Sequence, residues 1–243
     1  MGALAAIAAL AAALAPGPLD GRTVVLDPGH NGGNGADPSR INRPVYVGGG
    51  MYKACNTTGT ATASGYRESR FNLAVAREAA RILRRDGAEV ILTRRHDRGA
   101  GPCITRRARI ANRARADAAV SIHADGGPPG GRGFHVIRPE WIEGLTDDIH
   151  RPSRRLGRSM RAAYERRTGL PRAAYAGGDG LVARSDLGGL RLADVPAVFV
   201  EAANMRNATD ARKVESRRFR RRVARGVADG ARAFLERARS RIL

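Results

Sequence analysis

The sequence predicts a single α/β domain with a mainly parallel or mixed central sheet of about six strands, flanked by helices on both faces. Three observations predict it. Short apolar runs alternate with longer stretches whose apolar residues recur every three to four positions, the rhythm of strands and covering helices. The 243 residues suit one large domain, and 42% of them are hydrophobic, enough for a substantial core. No internal repeat, binding module or linker composition breaks the pattern.

The elements follow in order. From Ala3 to Ala15 every residue is Ala, Leu or Ile, and Pro16-Gly17-Pro18 comes next. This run is shorter than the roughly 20 apolar residues that cross a bilayer, so no transmembrane anchor is expected. It fits the apolar region of a secretory signal with Ala13-Leu14-Ala15 as cleavage site, although only Met1 and Gly2 stand where basic residues usually precede it. An Ala-rich surface helix is the other reading. Residues 1–19 are read as the leader and residues 20–243 as the folded domain. Arg22 to Asp27 reads as a buried strand between Gly21 and Pro28. Residues 31–65, rich in Gly, Asn, Thr and Ser, are too long for an idle connection and predict a functional loop or hairpin. A helix opens at Glu68, with Ser64 as its expected cap, and buries Phe71, Val75, Ala79, Ile82 and Leu83. Asp86-Gly87 ends it, and Ala88 to Thr93 is the next strand. Ile104 to Arg115 predicts a helix with arginines on its wet face. Ala118 to His123 is a strand, with Gly133 to Arg138 expected beside it. Leu156, Met160 and Tyr164 mark a third helix. Val198 to Val200 is a short buried strand ending at Glu201. A final helix over residues 216–239 turns Phe219, Val223, Val227, Ala231 and Phe234 inward.

Charge and cysteine content bound the environment. Forty-three Lys and Arg against 23 Asp and Glu give a net charge of +20, and only Lys53 and Lys213 are lysines. Such a chain attracts polyanions, with nucleic acid and anionic cell-wall polymer as candidates. Zinc-finger spacing, an aromatic stacking platform and RNA-binding signatures are absent, and aromatic residues are 5%, so no specific nucleic-acid partner is expected. Cys55 and Cys103 lie in loop-like sequence and are expected to pair in an oxidising compartment. That bridge would stiffen residues 31–65 into a wall beside any site at His30.

Ligands in such sheets bind beyond the carboxyl ends of the strands. His30 follows the first strand, His123 ends the third, Glu201 ends the last, and Glu68 opens a helix after a glycine. Four side chains from distant stretches thus converge on one sheet edge. A zinc ion with two His ligands and one Glu ligand keeps a position open for water, and a second Glu can act on that water. The set points to a metallohydrolase.

The fragments Asp27-Pro28-Gly29-His30, Gly65-Tyr66-Arg67-Glu68, Ser121-Ile122-His123-Ala124 and Val200-Glu201, followed by Asn204, resemble the four motifs of zinc-dependent N-acetylmuramoyl-L-alanine amidases. The resemblance is greatest to the small secreted single-domain peptidoglycan amidases of actinobacteria, and runs from Arg22 to the last helix. It implies one Zn2+ per chain, held by His30, Glu68 and His123, with Glu201 as the catalytic residue. It also implies a peptidoglycan or muropeptide substrate and a secreted, periplasmic or wall-associated location. No oligomer seam is evident, so a monomer is expected. A zinc carboxypeptidase or endopeptidase acting on the stem peptide could use the same metal site, and a non-catalytic polyanion-binding protein is the reading from charge alone.

The remaining polar residues have plainer readings. Asp27 either orients His30 or begins the turn. Asp125 stands where relatives often carry Asn. Asn204 either holds substrate or caps the following loop. His135 is a packed or surface imidazole, and His96 and His150 are solvated.

Overall fold

The computed structural model describes residues 16–239; the apolar run from Ala3 to Ala15 lies outside the described residues. The strands are β1 (Thr23–Pro28), β2 (Pro44–Tyr46), β3 (Tyr52–Ala54), β4 (Glu89–Leu92), β5 (Ala118–Asp125), β6 (His135–Pro139), β7 (Leu181–Arg184) and β8 (Ala197–Asn204). The helices are α1 (Pro38–Ile41), α2 (Glu68–Arg85), α3 (Ile104–Arg113), α4 (Asp147–Thr168), α5 (Gly188–Arg191), α6 (Ala208–Glu215) and α7 (Arg217–Arg239). Six strands form one mixed sheet in the order β4-β1-β5-β8-β6-β7, and β2 and β3 form a separate antiparallel hairpin.

The strands β4, β1, β5 and β8 are mutually parallel; β6 runs antiparallel to β8. Side chains alternate between the two sheet faces. Val24, Leu26, Val120, Ile122, Val136 and Val200 pack with α2, α4 and α7 into the main core. The opposite face is covered by α3 and α5, where Val25 meets Ala111 and Ile137 meets Leu190. Burial on both faces explains why the strands read as continuous apolar runs.

Three expectations need correction. The strand at His135 does not pair with β5; β8 lies between them. Strand order depends on crossovers that local sequence does not encode. Ser64 does not cap α2. The cap position is Arg67, and the Ser64 hydroxyl instead donates to Glu215 at 2.6 Å. The arginines of α3 are not all wet, because Arg107 is buried on the face shared with Ala108 and Ala111.

The segment after His30 holds the β2–β3 hairpin, pinned from two sides. The Cys55–Cys103 disulfide joins its base to the start of α3 across a sequence separation of 48. The buried Arg191 donates to the carbonyls of Val47 at 3.1 Å and Gly48 at 2.9 Å. Replacing both cysteines by serine should lower stability by up to about 4 kcal/mol in the chain-entropy account. Denaturant unfolding with and without reductant checks this; an unchanged midpoint would mean that packing alone holds the hairpin.

Candidate metal centre and active site

The first strand delivers His30 through a turn under constraint. His30 adopts φ +57°, a left-handed conformation uncommon for a residue with a side chain. Two buried arginines hold the turn. Arg107 donates to the Pro28 carbonyl and the His30 carbonyl, each at 2.8 Å, and pairs with Asp27 at 2.6 Å. Arg94 donates to the Pro28 carbonyl at 2.8 Å, the Gly29 carbonyl at 3.0 Å and the Ser69 carbonyl at 2.7 Å, tying the turn to the first turn of α2. Burial pulls the Arg94 pKa down to about 10, which leaves it charged at neutral pH.

Asp27 therefore does not orient the His30 ring; it holds Arg107, which holds the His30 backbone. Burial opposes its charge, but Arg107 and hydrogen bonds from Thr93 and Ser121 outweigh burial and lower its pKa to about 2.

Glu68 is the first residue of α2, where the helix dipole favours a carboxylate. Its Oε2 accepts the Thr60 N–H at 2.9 Å, while its Oε1 accepts the Ala124 N–H at 3.2 Å and an Asn72 amide hydrogen at 3.3 Å. The same Oε1 lies 3.1 Å from His30 Nε2 and 3.0 Å from His123 Nδ1, and the two ring nitrogens are 3.2 Å apart. His30 Nδ1 donates to the Thr57 carbonyl at 3.0 Å, which turns the Nε2 lone pair toward the cluster. Three donor atoms spaced like this fit one cation, since ligands 2.0–2.1 Å from a tetrahedral zinc stand about 3.3 Å apart. Nitrogen, nitrogen and carboxylate oxygen are also the donor types zinc takes.

The charges are mutually adjusted. Burial opposes ionisation of Glu68, yet His30 and His123 drive its pKa well below the usual carboxylate range. Burial also opposes a proton on His30, but the Glu68 charge outweighs it and raises the pKa; on His123 burial prevails and lowers it.

Two glycines permit this crowding. A Cβ on Gly29 would fall within the His123 ring. A Cβ on Gly59, which has φ +77°, would stand 2.8 Å from both Glu68 Oε2 and His30 Cδ2.

His123 and Glu201 are register partners on β5 and β8, so they share a face. Phe199, two residues earlier on β8, stacks on the His123 ring with centroids 5.0 Å apart. The register slips after this pair, so that Asp125 faces Asn204; such bulges re-aim side chains beside active sites. Burial, then the Glu68 and Asp125 charges, raise the Glu201 pKa well above the carboxylate range, with Arg184 opposing. These residues open into a cleft of about 500 Å³, walled by Lys53 and Ala54 of the hairpin, by Asn56, Thr57, Gly59 and Thr60, and by Arg184 and residues 186–189.

The other candidates are placed as follows. Asn204 is fully buried; its amide donates to the carbonyls of Pro128 and Gly131 at 2.8 Å, so it fastens the loop before β6. Asp125 lines the cleft. His135 is packed, opposite Glu201 on β6. His96 is exposed, whereas His150 is partly covered and meets Arg138 at 2.9 Å rather than being fully solvated. Arg94, Arg107, Thr57, Thr60 and Phe199 are supporting residues that motif reading misses. For Arg107 a signal exists: with Ile104, Ala108 and Ala111 it shares one helical face.

A family model described as N-acetylmuramoyl-L-alanine amidase matches residues 24–233. The chain belongs to the N-acetylmuramoyl-L-alanine amidase family. It is 41% identical over 224 residues to the N-acetylmuramoyl-L-alanine amidase Rv3717 of Mycobacterium tuberculosis, covering 92% of this chain and 90% of that one. The crystal structure of the amidase Ami1 from Mycobacterium smegmatis superimposes with TM-score 0.83 at 40% identity, covering 89% of this chain and 98% of that one. The apo form of Ami1 from Mycobacterium abscessus gives TM-score 0.83 at 43% identity, with coverage of 89% and 99%.

Two outcomes test this account of the amidase site. Gly29→Ala should displace the His123 ring, so metal affinity falls while far-UV circular dichroism is kept; unchanged affinity would show that the ring has room. The Asp27 pKa is depressed when folded, so its contribution is full above the unfolded value near 3.8 and is lost as pH falls toward about 2. Asp27→Asn should remove about 2 kcal/mol of stability at pH 7 and flatten the stability profile over that window. An equal acid-limb slope in both proteins contradicts it.

Proposed function

We propose that the protein hydrolyses the amide between N-acetylmuramic acid and the L-alanine of the peptidoglycan stem peptide. In this reading His30 Nε2, Glu68 Oε1 and His123 Nδ1 hold one zinc ion, and Glu201 moves the proton. The supporting observation is the convergence of those three atoms to 3.0–3.2 Å, in a cleft that also exposes Glu201, within a chain of the amidase family. Zinc bound there would polarise the amide carbonyl and lower the pKa of a water to about 7.

The chain's own residues do the rest. The Arg107 and Arg94 hydrogen bonds and the Thr57 carbonyl fix His30, so the ligand atoms need little rearrangement before binding. Phe199 closes one face of His123 and keeps the ring in plane. Glu201, with its raised proton affinity, accepts the proton of the attacking water and delivers it to the departing L-alanine nitrogen. One carboxylate serves both steps because they are sequential. Asp125 and Asp186 together with Lys53 and Arg184 give the cleft two charge signs with which to orient a peptide.

The reading carries a location. The substrate lies outside the cytoplasmic membrane, so the protein acts there and reaches it by export, as a monomer. No described helix is long and apolar enough to cross a membrane. The surplus of positive charge draws it to the anionic wall.

Glu201→Gln should keep one zinc per chain while turnover of purified muropeptides falls roughly 10²–10⁴-fold. Chelation should stop the wild type and zinc should restore it. The product should be a peptide with a free L-alanine amine beside an intact sugar. Cleavage inside the stem peptide, or full activity of the Gln variant, would overturn the assignment.

A further inference from the structure

The carboxyl-terminal end of α4 and the amino-terminal half of α7 enclose a second cleft, of about 480 Å³, lined entirely by arginine: Arg166, Arg167, Arg217, Arg218, Arg221, Arg222 and Arg225. Arg167 pairs with Asp229, and Arg222 donates to the Arg167 carbonyl at 2.7 Å, closing the end of α4. Among the described residues the other five have no carboxylate partner. Some arginines elsewhere are matched, as Arg22 with Asp117 and Arg161 with Asp179, and others, such as Arg40, Arg43, Arg106 and Arg109, share a cleft with Pro44, Val45 and Tyr46. The cleft between α4 and α7 differs in that arginine alone lines it.

The surplus also stands where the helix opposes it. The amino end of a helix carries positive partial charge and favours acids, yet the first turn of α7 holds no acidic residue and begins Arg217-Arg218. Arg217 and Arg218 in that turn oppose the dipole, and they and Arg166, Arg221 and Arg225 repel one another, a cost that a bound anion relieves. Their spacing suits a linear one. Arg217, Arg221 and Arg225 follow each other at four-residue intervals, roughly 6 Å apart along the helix. Phe219 and Val223 of α7 face the core, leaving the arginine stripe exposed.

We propose that this cleft binds a linear phosphodiester polymer attached to the same wall as the substrate. Guanidinium forks match phosphate oxygens in pairs, and the amino end of α7 adds to their field. The site lacks the aromatic side chains on which nucleic-acid bases stack. It lies at the same sheet edge as the catalytic cleft, because α4 ends just before the segment that bridges to Phe134, and α7 follows the segment leaving β8. A polymer held there retains the enzyme on the wall without entering the zinc site. The inference rests on the amidase reading for the source of the polymer, while the anion site stands on the arginines.

The test compares the full-length wild type with R217Q/R221Q/R225Q, and with R85Q/R98Q/R113Q, which removes equal charge from exposed positions elsewhere. The probes are synthetic poly(glycerol phosphate), polyglutamate and oligo-dT of equal charge number. Wild type should bind poly(glycerol phosphate) most tightly. The α7 variant should bind it about tenfold or more weakly at low salt, with a slope of log K against log salt reduced by about 2. The control variant should keep most of the affinity. All three should cut soluble muropeptide equally, but the α7 variant should lose activity on intact wall and regain parity on wall stripped of phosphodiester polymer. Equal losses in the two variants would overturn the site. Equal or tighter binding of polyglutamate or oligo-dT would overturn the choice of ligand. Failure of wild type to cut muropeptide would sink the amidase reading and leave the binding result standing.

Discussion

The Glu68 carboxylate is the constraint on which the rest of the site depends. Three chain segments meet at it: residues 57–60 through the Thr60 N–H, β5 through the Ala124 N–H, and α2 through its own backbone and Asn72. A carboxylate buried this way is costly unless it is paired and hydrogen-bonded, and the two imidazoles complete the pairing. The same bonds that make its burial tolerable fix where Oε1 stands between the two imidazoles. Under the proposed zinc reading, stability and metal geometry are therefore one problem, solved at one residue.

Around that point the structure uses arginine as scaffold. Arg107 and Arg94 replace the backbone partners that a strained turn cannot find for itself, and Asp27 keeps Arg107 in place. The disulfide at the start of α3 lies four residues from Arg107, so the wall of the cleft and the support of His30 share an anchor. Arginine thus has two uses in the chain. Buried, it donates to carbonyls in the fork geometry that lysine lacks; exposed and unpaired on α7, it makes a field.

Much of this was legible in the sequence, for physical reasons that also mark the limits. The strands at Val24, Val120 and Val198 and the helices at Phe71 and Phe219 carry apolar periodicities that any covered sheet imposes. His30, Glu68, His123 and Glu201 stand at element ends, and a parallel sheet brings such ends to one edge. The short β7 was not legible, because Leu-Val-Ala-Arg between a glycine and a serine offers no period. The order of β8 and β6 follows from long crossovers, and the capping role expected of Ser64 fails because the cap position is three residues further on. The supporting arginines were hidden by number: among so many, nothing local separates the buried Arg94 from its exposed neighbour Arg95.

The proposed activity requires one zinc ion among two imidazoles and a carboxylate, with room left for solvent. X-ray absorption at the zinc edge, on the full chain purified without added chelator, measures that shell directly. The account predicts nitrogen and oxygen neighbours only, about four of them, at about 2.0–2.1 Å, with imidazole scattering that weakens when His123 is replaced by alanine. Sulfur neighbours near 2.3 Å, or a spectrum indifferent to His123, would contradict it.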